Sequence, residues 1–416
     1  MKSFQELINV FFGTYTEAYC KANDLFVAYK KDGATIKAKT RMIENFQQEL
    51  VKIDAGYIIG GWQEYIVDDE TGNAKRLLLD ILKDNNWEAE QLKIILQGLI
   101  LGTTAFRVGK DMSGEVRISH IPIASALISR FGDGWIVETN VEDNGHMAML
   151  REISTSEFYR RERNGVPEFE VDISSYGIPF ITVIPNRPTI DPNFSSWQGE
   201  PEWRTIQPQL DEINSSYSRL SMIEDRYANP LLIVKGIIDT SDSEIKKDSN
   251  VLYLPEGSDI SFLEYQGNIL SPCLEKIREL KQSVKNKCPE LILQDLTAVN
   301  SGYALKIRLQ SLKRKISTLR ATYFSVFENY FNVLLKMATG NDYAISIKAE
   351  DVIPEDTESL LKEYIALRGL GILSDRTIAE SLGYDYDEEQ EEIAKEVLNP
   401  NKTQEEEKTE EAGVEE

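Results

Sequence analysis

NSGYALKIRLQSLKRKISTLRATYFSVFENYFNVLLKMAT, residues 300–339, decides how the rest of the chain is read. Its apolar residues Leu305, Leu309, Leu312, Ile316, Leu319, Tyr323, Phe327, Tyr330 and Leu334 return every three or four positions, which places them on one stripe of a helix. About 36 residues at ~1.5 Å each make a rod of about 54 Å, longer than a small domain needs. Ser301 supplies a capping hydroxyl, Gly302 a flexible entry and Gly340 a stop. No acid occurs from Leu296 to Phe327, whereas Lys306, Arg308, Lys313, Arg314, Lys315 and Arg320 all fall there, in a chain whose net charge is −23. Such a helix is either a core element with a solvated basic face or a beam whose cations meet a polyanion or an acidic neighbouring subunit.

Composition narrows the choice. A chain of 416 residues, 41% of them hydrophobic, can bury a real core but exceeds one ordinary core, so two or more subdomains are expected. The acidic balance argues against a protein that coats nucleic acid, which needs clustered Lys and Arg. It is compatible with one that lets DNA slide past, because a wall of like sign repels phosphate. Cys20, Cys273 and Cys288 show neither metal-ligand spacing nor an even count, which fits a reduced, intracellular setting. The opening MKSFQELINVFFGTYTEAY carries acids within its apolar run and no cleavage pattern, unlike a signal peptide. No apolar run reaches the ~18 residues that span a bilayer, so no membrane partner is expected.

Taken in order, residues 3–21 and 35–56 read as amphipathic helices, and Gly60-Gly61 interrupts the pattern. Residues 74–82 are helical again. A helix from Trp87 to Leu101 gives way at Gly102 to a hairpin with its turn at Asp111–Gly114. From Trp135 to Ile184 the alternation predicts an antiparallel meander, with turns at Asp143–Gly145 and Asn164-Gly165. His120, in the preceding hairpin, and His146, in the meander, each lie in such a strand or turn without a partner at ligand spacing, as structural histidines do. The proline-rich stretch 185–203 reads as a connector. A helix follows to Asn229-Pro230, then two short β-like runs within 231–265, a helix over 270–287, and a loop into the long helix. Beyond Gly340 come a strand and two helices, 355–368 and 374–382. A third, very acidic helix is expected near 387–397. Residues 398–416, rich in glutamate and free of aromatics, predict a solvated, disordered tail.

This order carries a resemblance. QGLILGTTAFRVGKDMSGEVRISHIP (97–122) looks like the wing segment of the portal proteins of tailed bacteriophages, which form the unique vertex of the capsid. LDEINSSYSRLSMIEDRYANPLLIVKG (210–236) resembles their stem helix entering the clip. NSGYALKIRLQSLKRKI (300–316) is similar to the opening of their long wing helix. IPEDTESLLKEYIALRGLGILSDRTIAESLGYDYDEEQEEIAKE (353–396) resembles their acidic helical C-terminal region. Each motif alone is weak; four in the right order are much stronger.

The resemblance implies an α+β portal fold assembled as a homo-oligomeric ring, typically of twelve subunits. Residues 1–200 would form the N-terminal wing, 201–228 and 269–288 the stem helices, and 229–268 the small β clip. Residues 289–301 would form the tunnel loop, 302–352 the long helix and a wing strand, and 353–397 the crown. Double-stranded DNA would pass the channel without sequence recognition, facing Glu290, Gln294, Asp295, Thr297, Val299 and Asn300 of the tunnel loop. The returning stem helix offers Lys276, Arg278, Lys281, Lys285 and Lys287, of which Lys281, Lys285 and Lys287 are the expected channel-facing cations. Lys306, Arg308, Lys313, Arg314, Lys315 and Arg320 would meet acidic surface on the next subunit, so that reversing Lys313, Arg314 and Lys315 would impair ring assembly. The implied partners are the large terminase subunit, head-completion or adaptor proteins, scaffold and major capsid protein. The implied location is the virion, after assembly in the host cytoplasm.

Other readings fare worse. GILSDRTIAESLGYD (371–385) has the outline of a helix-turn-helix regulator, yet the acidic DYDEEQEEIAKE that follows would repel phosphate. A carboxylate-metal nuclease finds only acidic pairs in polar turns or tails. No phosphate-binding GxxxxGK[ST] loop, HExxH or nucleophile elbow occurs, so neither an enzyme nor a cofactor is expected. A different ring-forming head-to-tail connector is usually much shorter.

Overall fold

The computed structural model describes residues 7–8, 27–31, 34–38, 44–111, 113–143, 145–190, 195, 197–228, 231–235, 247–248, 251–252, 259–263, 270–288, 290–291, 302–352, 357–381, 386, 389–390 and 393–394. It divides into two units, Met1–Val352 and Ile353–Glu416.

In the first unit, Val27–Lys31 (β1) pairs with Ala34–Ala38 (β2). Phe46–Ile59 (α1), Gln63–Val67 (β3), Asn73–Asp84 (α2) and Trp87–Leu101 (α3) follow. Eight strands come next: Thr103–Lys110 (β4), Val116–Ile121 (β5), Ala126–Phe131 (β6), Gly134–Asp143 (β7), His146–Ser154 (β8), Phe158–Arg163 (β9), Val166–Asp172 (β10) and Ile181–Pro185 (β11). A 3-10 turn, Arg204–Ile206, runs straight into Gln207–Ala228 (α4). Leu231–Lys235 (β12), Lys247–Asp248 (β13), Val251–Leu252 (β14) and Asp259–Leu263 (β15) separate α4 from Leu270–Lys287 (α5). Gly302–Thr339 (α6) and Ile345–Ala349 (β16) complete the unit.

The meander predicted from alternation is a five-stranded antiparallel sheet in the order β10-β9-β8-β7-β6. Along β8 the alternation is visible as burial: Ala148 and Leu150 point inward, Met147 and Met149 outward. Asn164 and Gly165 both take positive φ, 49° and 80°, as the tight turn between β9 and β10 requires. A three-stranded sheet, β11-β4-β5, packs Ala105, Ile121, Ile181 and Val183 against Trp135 and Val137 of the larger one.

The long helix is the spine of this unit. Leu309, Leu312, Ile316, Leu319, Tyr323, Phe327, Tyr330 and Leu334 of the stripe read from the sequence are buried along it, joined by Phe331 and Leu335, while the Leu305 side chain lies outside the described residues. Trp87 of α3 meets Phe327 and Phe331 edge-on, with ring centroids 5.0 and 5.1 Å apart, and Phe106 of β4 meets Tyr330 at 5.0 Å. Edge-to-face contacts of this kind add to the gain from burying apolar area. Gly98 lets α3 and α6 approach closely, since a Cβ there would stand 1.9 Å from the Tyr323 hydroxyl. Gly102 ends α3 at φ +80°, its N–H donating to the Gly98 carbonyl.

Two N-terminal expectations need correction. Residues 35–56 do not form one helix: Ala34–Ala38 is a strand, and α1 begins only at Phe46, capped by the Asn45 side chain accepting from the Gln48 N–H. The Asp32-Gly33 pair between the two strands was the overlooked hairpin signal. Strand β3 was also missed; it pairs with β16, nearly three hundred residues away, which no local pattern announces. Only Leu7 and Ile8 of the predicted 3–21 helix lie among the described residues, and both are helical.

The second unit holds Thr357–Gly369 (α7) and Asp375–Ser381 (α8). Gly371 (φ +69°) turns the chain between them, and the Ser374 hydroxyl accepts from the Thr377 N–H at the start of α8. Residues 389–390 and 393–394 are helical, within the expected acidic helix. The tail at 398–416 lies outside the described residues.

Candidate functional site

Helix α6 carries more than an apolar stripe. Lys315 sits between Leu312 and Ile316, on the side that faces the core, and its side chain is only 13% exposed. Its ammonium lies 2.7 Å from Asp54 Oδ2 of α1, 2.7 Å from Glu202 Oε1 and 2.5 Å from Glu290 Oε1. All three carboxylates are buried. An ammonium taken out of water is tolerated only when such acceptors surround it.

Each carboxylate comes from a different part of the chain. Asp54 lies on the buried face of α1 with Leu50, Val51 and Ile58. Glu202 ends the proline-rich connector, which folds back so that its N–H donates to the Leu99 carbonyl, 3.0 Å away. Its other oxygen accepts from Asn186 Nδ2, and Arg187 pairs with Oε1. Tyr323 then donates its hydroxyl to Asn186 Oδ1, joining the network to the aromatic core. Glu290 stands in a helical turn at 290–291, just after α5, where the Leu291 N–H donates to the Cys288 carbonyl.

Three carboxylates face one lysine and one arginine, and burial of Asp54 pushes its carboxyl up to about 8 although Lys315 pulls it down. Burial works against the Lys315 ammonium too, but the three carboxylates outweigh it and raise its pKa. Cys288 is pushed up to about 12, first by burial and then by Glu290, so its thiol is protonated and inert at neutral pH.

Several anticipated site residues prove to be engaged inside the protomer. Glu290, expected on a channel wall, is fully buried on Lys315, where the buried ammonium offers its carboxylate a partner at 2.5 Å. Lys315, expected at a neighbouring subunit, is occupied by the three carboxylates. Arg320 donates to the Tyr57 and Ile58 carbonyls at the C-terminal end of α1, where a cation suits the helix dipole. Lys313 pairs with Asp351 at 2.7 Å on the surface, and Arg314 is exposed. Lys306 and Arg308 belong to α6, but their side chains lie outside the described residues. So do Gln294, Asp295, Thr297, Val299 and Asn300.

On α5, Lys281 bonds Glu44 at 2.6 Å and lies 5.2 Å from the Tyr217 ring centre, a cation–π contact within the protomer. Lys276 pairs with Glu212 of α4, Lys285 is half-buried, and Arg278 and Lys287 are exposed. The antiparallel α4–α5 pair is thereby tied to the start of α1, where the Glu44 N–H also donates to Asn214 Oδ1.

Asp54 and Glu202 were missed in the sequence. The signal available was an acid within the α1 stripe, the counterpart of Lys315 within that of α6. Among the described residues no group of three or more His, Cys, Asp or Glu is arranged to hold a metal ion, and no helix is long and apolar enough to cross a membrane. His120 is half-buried in β5, with burial pushing its imidazole down, and His146 is exposed on β8.

Sequence comparison places this architecture. The architecture is a mixed helix-and-sheet unit on one long helix, with a helix pair around a small β insertion. The family model described as phage portal protein, SPP1 Gp6-like, matches residues 17–127 and 147–401, and the chain belongs to that family. A comparison with curated proteins finds no match. Among solved structures the chain is similar to one from the neck of an empty gene transfer agent (GTA) particle computed with C6 symmetry. Identity there is 13%, over 92% of this chain and 94% of that one, with a TM-score of 0.49. It is also similar to one from the neck of the native particle computed with C12 symmetry, at 14% identity over 81% and 89%, with a TM-score of 0.46.

Proposed function

We propose that the chain assembles into a closed homo-oligomeric ring, of twelve subunits in the reading taken from its family, whose bore passes double-stranded DNA into the capsid and later out of it. The family match over nearly the whole chain carries this reading. Residues 1–200 with 302–352 are the wing, 201–228 and 269–288 the stem, 229–268 the clip, 289–301 the tunnel loop and 353–397 the crown. The large terminase subunit docks at the clip during packaging and adaptor proteins dock there afterwards, while scaffold and major capsid protein meet the wing. The chain supplies no catalysis and holds no cofactor; an ATP-driven motor is a separate protein.

The mechanism is geometric and electrostatic. A ring with one repeated heterologous contact closes when its rotation divides a full turn. A net charge of −23 per subunit keeps phosphate from sticking to the bore. Among the described cations of the basic helix face, Arg314 is exposed and available to meet a neighbour, with Lys313 beside it in a surface ion pair. Negative-stain microscopy with mass photometry of the purified chain tests the reading: rings with a bore support it, and a monomer at every concentration refutes it.

A further inference from the structure

The buried cluster around Lys315 joins three segments of the chain: α1 through Asp54, the connector through Glu202, and the turn after α5 through Glu290. Its charges do not balance. Asp54, Glu202 and Glu290 bring three carboxylates, while Lys315 and Arg187 bring two cations. Two oxygens in it, Asp54 Oδ1 and Glu290 Oε2, are buried without a hydrogen-bond partner. A buried carboxylate oxygen left without a donor costs free energy, and a proton is the smallest group that supplies a donor and removes the surplus charge together. The remaining groups near the cluster, the Cys288 thiol and the Tyr323 phenol, are both raised in pKa, so neither adds negative charge at neutral pH.

We propose that this cluster is a proton-dependent lock, closed while Asp54 carries a proton and loosened when it ionises, and that it controls how firmly the chain after α5 is held to α1 and α6. The raised carboxyl of Asp54 agrees, placing the change near neutral to mildly alkaline pH. The lock is a property of the protomer. Its consequence, that pH sets how firmly the start of the 289–301 segment is anchored, rests on the portal reading.

Cys288 reports the lock directly, because it is buried at 6% exposure two residues before Glu290. In full-length chain carrying Cys20→Ser and Cys273→Ser, the rate of Cys288 alkylation is divided by the rate in the urea-unfolded chain at the same pH. That ratio removes the thiol's intrinsic titration. Between pH 6.5 and 9 the protection should fall roughly thirtyfold, about tenfold per pH unit up to the Asp54 value of about 8 and little beyond it, as a closed state linked to one proton requires. In Asp54→Asn, which mimics the protonated carboxyl, it should stay flat. Glu290→Gln, which removes one carboxylate and restores charge balance, should flatten the profile as well and covers the case where Asp54→Asn fails to fold. Equal pH dependence in all three, or a flat wild-type profile, overturns the lock. Protection that responds to added Na⁺ or Ca²⁺ at fixed pH instead also overturns it, since a cation and not a proton would then be the missing partner. None of these readouts needs a ring, so a lock that fails leaves the portal reading standing.

Discussion

Lys315 on α6 and Asp54 on α1, 261 residues apart in the chain, are joined ammonium to carboxylate at 2.7 Å in the core. Because Glu202 and Glu290 complete the arrangement, removing the lysine leaves three carboxylates buried together. Replacing Lys315 with Met should cost about 3–5 kcal/mol, as breaking a buried ion pair from one side does. Urea denaturation followed by circular dichroism measures it; a loss below ~1 kcal/mol would mean the carboxylates escape to water.

The neighbouring cations should behave differently. Lys313 and Asp351 form a surface pair, each side chain nearly half exposed, so Lys313→Ala should change stability by ~0–1 kcal/mol. Reversing Lys313, Arg314 and Lys315 together would therefore unfold the protomer before it tested any contact between subunits. Arg314→Glu alone keeps the fold and is the informative variant. If Arg314 meets an acidic neighbour, mass photometry should show fewer rings while the melting temperature of the protomer is unchanged.

Stability should also depend on pH through Asp54. Its folded value of about 8 lies above the ordinary 3.8, so the folded state holds a proton that the unfolded chain releases. That contribution is complete below the ordinary value and is lost as pH rises through about 8. The melting temperature of the wild type should therefore decline relative to Asp54→Asn between pH 5 and pH 9, values chosen to span that range at about one unit beyond the upper midpoint. Parallel curves for the two proteins would show that Asp54 is ionised throughout.

The closest approach of α3 to α6 is tested by Gly98→Ala. The added Cβ would stand 1.9 Å from the Tyr323 hydroxyl and 3.0 Å from its Cζ, forcing the helices apart or the ring aside. Overpacking of this kind costs about 1–3 kcal/mol. Adding Tyr323→Phe should recover part of the loss, because it removes the oxygen in closest contact, at the expense of the bond to Asn186. No recovery in the double variant would place the clash in the backbone.

At the centre of the aromatic core, Phe327→Ala should cost about 3–5 kcal/mol through lost burial and the cavity left behind. Phe327 is fully buried against Trp87, Phe106 and Phe331, so the surroundings have little room to collapse. The midpoint of chemical denaturation is the measurement.

Local periodicity alone determined much of this protein. The three-and-four spacing from Leu309 to Leu334 and the flanking glycines mark α6, and α5 and the turns at Asn164-Gly165 follow from signals a few residues long. Such signals are legible because helix and turn geometry repeat within that distance. The strand β3 and the hairpin β1–β2 are not legible in it, the former because its partner β16 is remote and the latter because the short Asp32-Gly33 signal stands alone while most of β2 falls within the helix pattern read over 35–56. Only the tertiary structure decided which charged residues are functional candidates. In the sequence Lys315 is one of six cations on a basic helix, and Asp54, Glu202 and Glu290 are three acids among many. The cost of burying a charge depends on what surrounds it, and here those surroundings are delivered from positions 54, 202 and 290 by the fold itself.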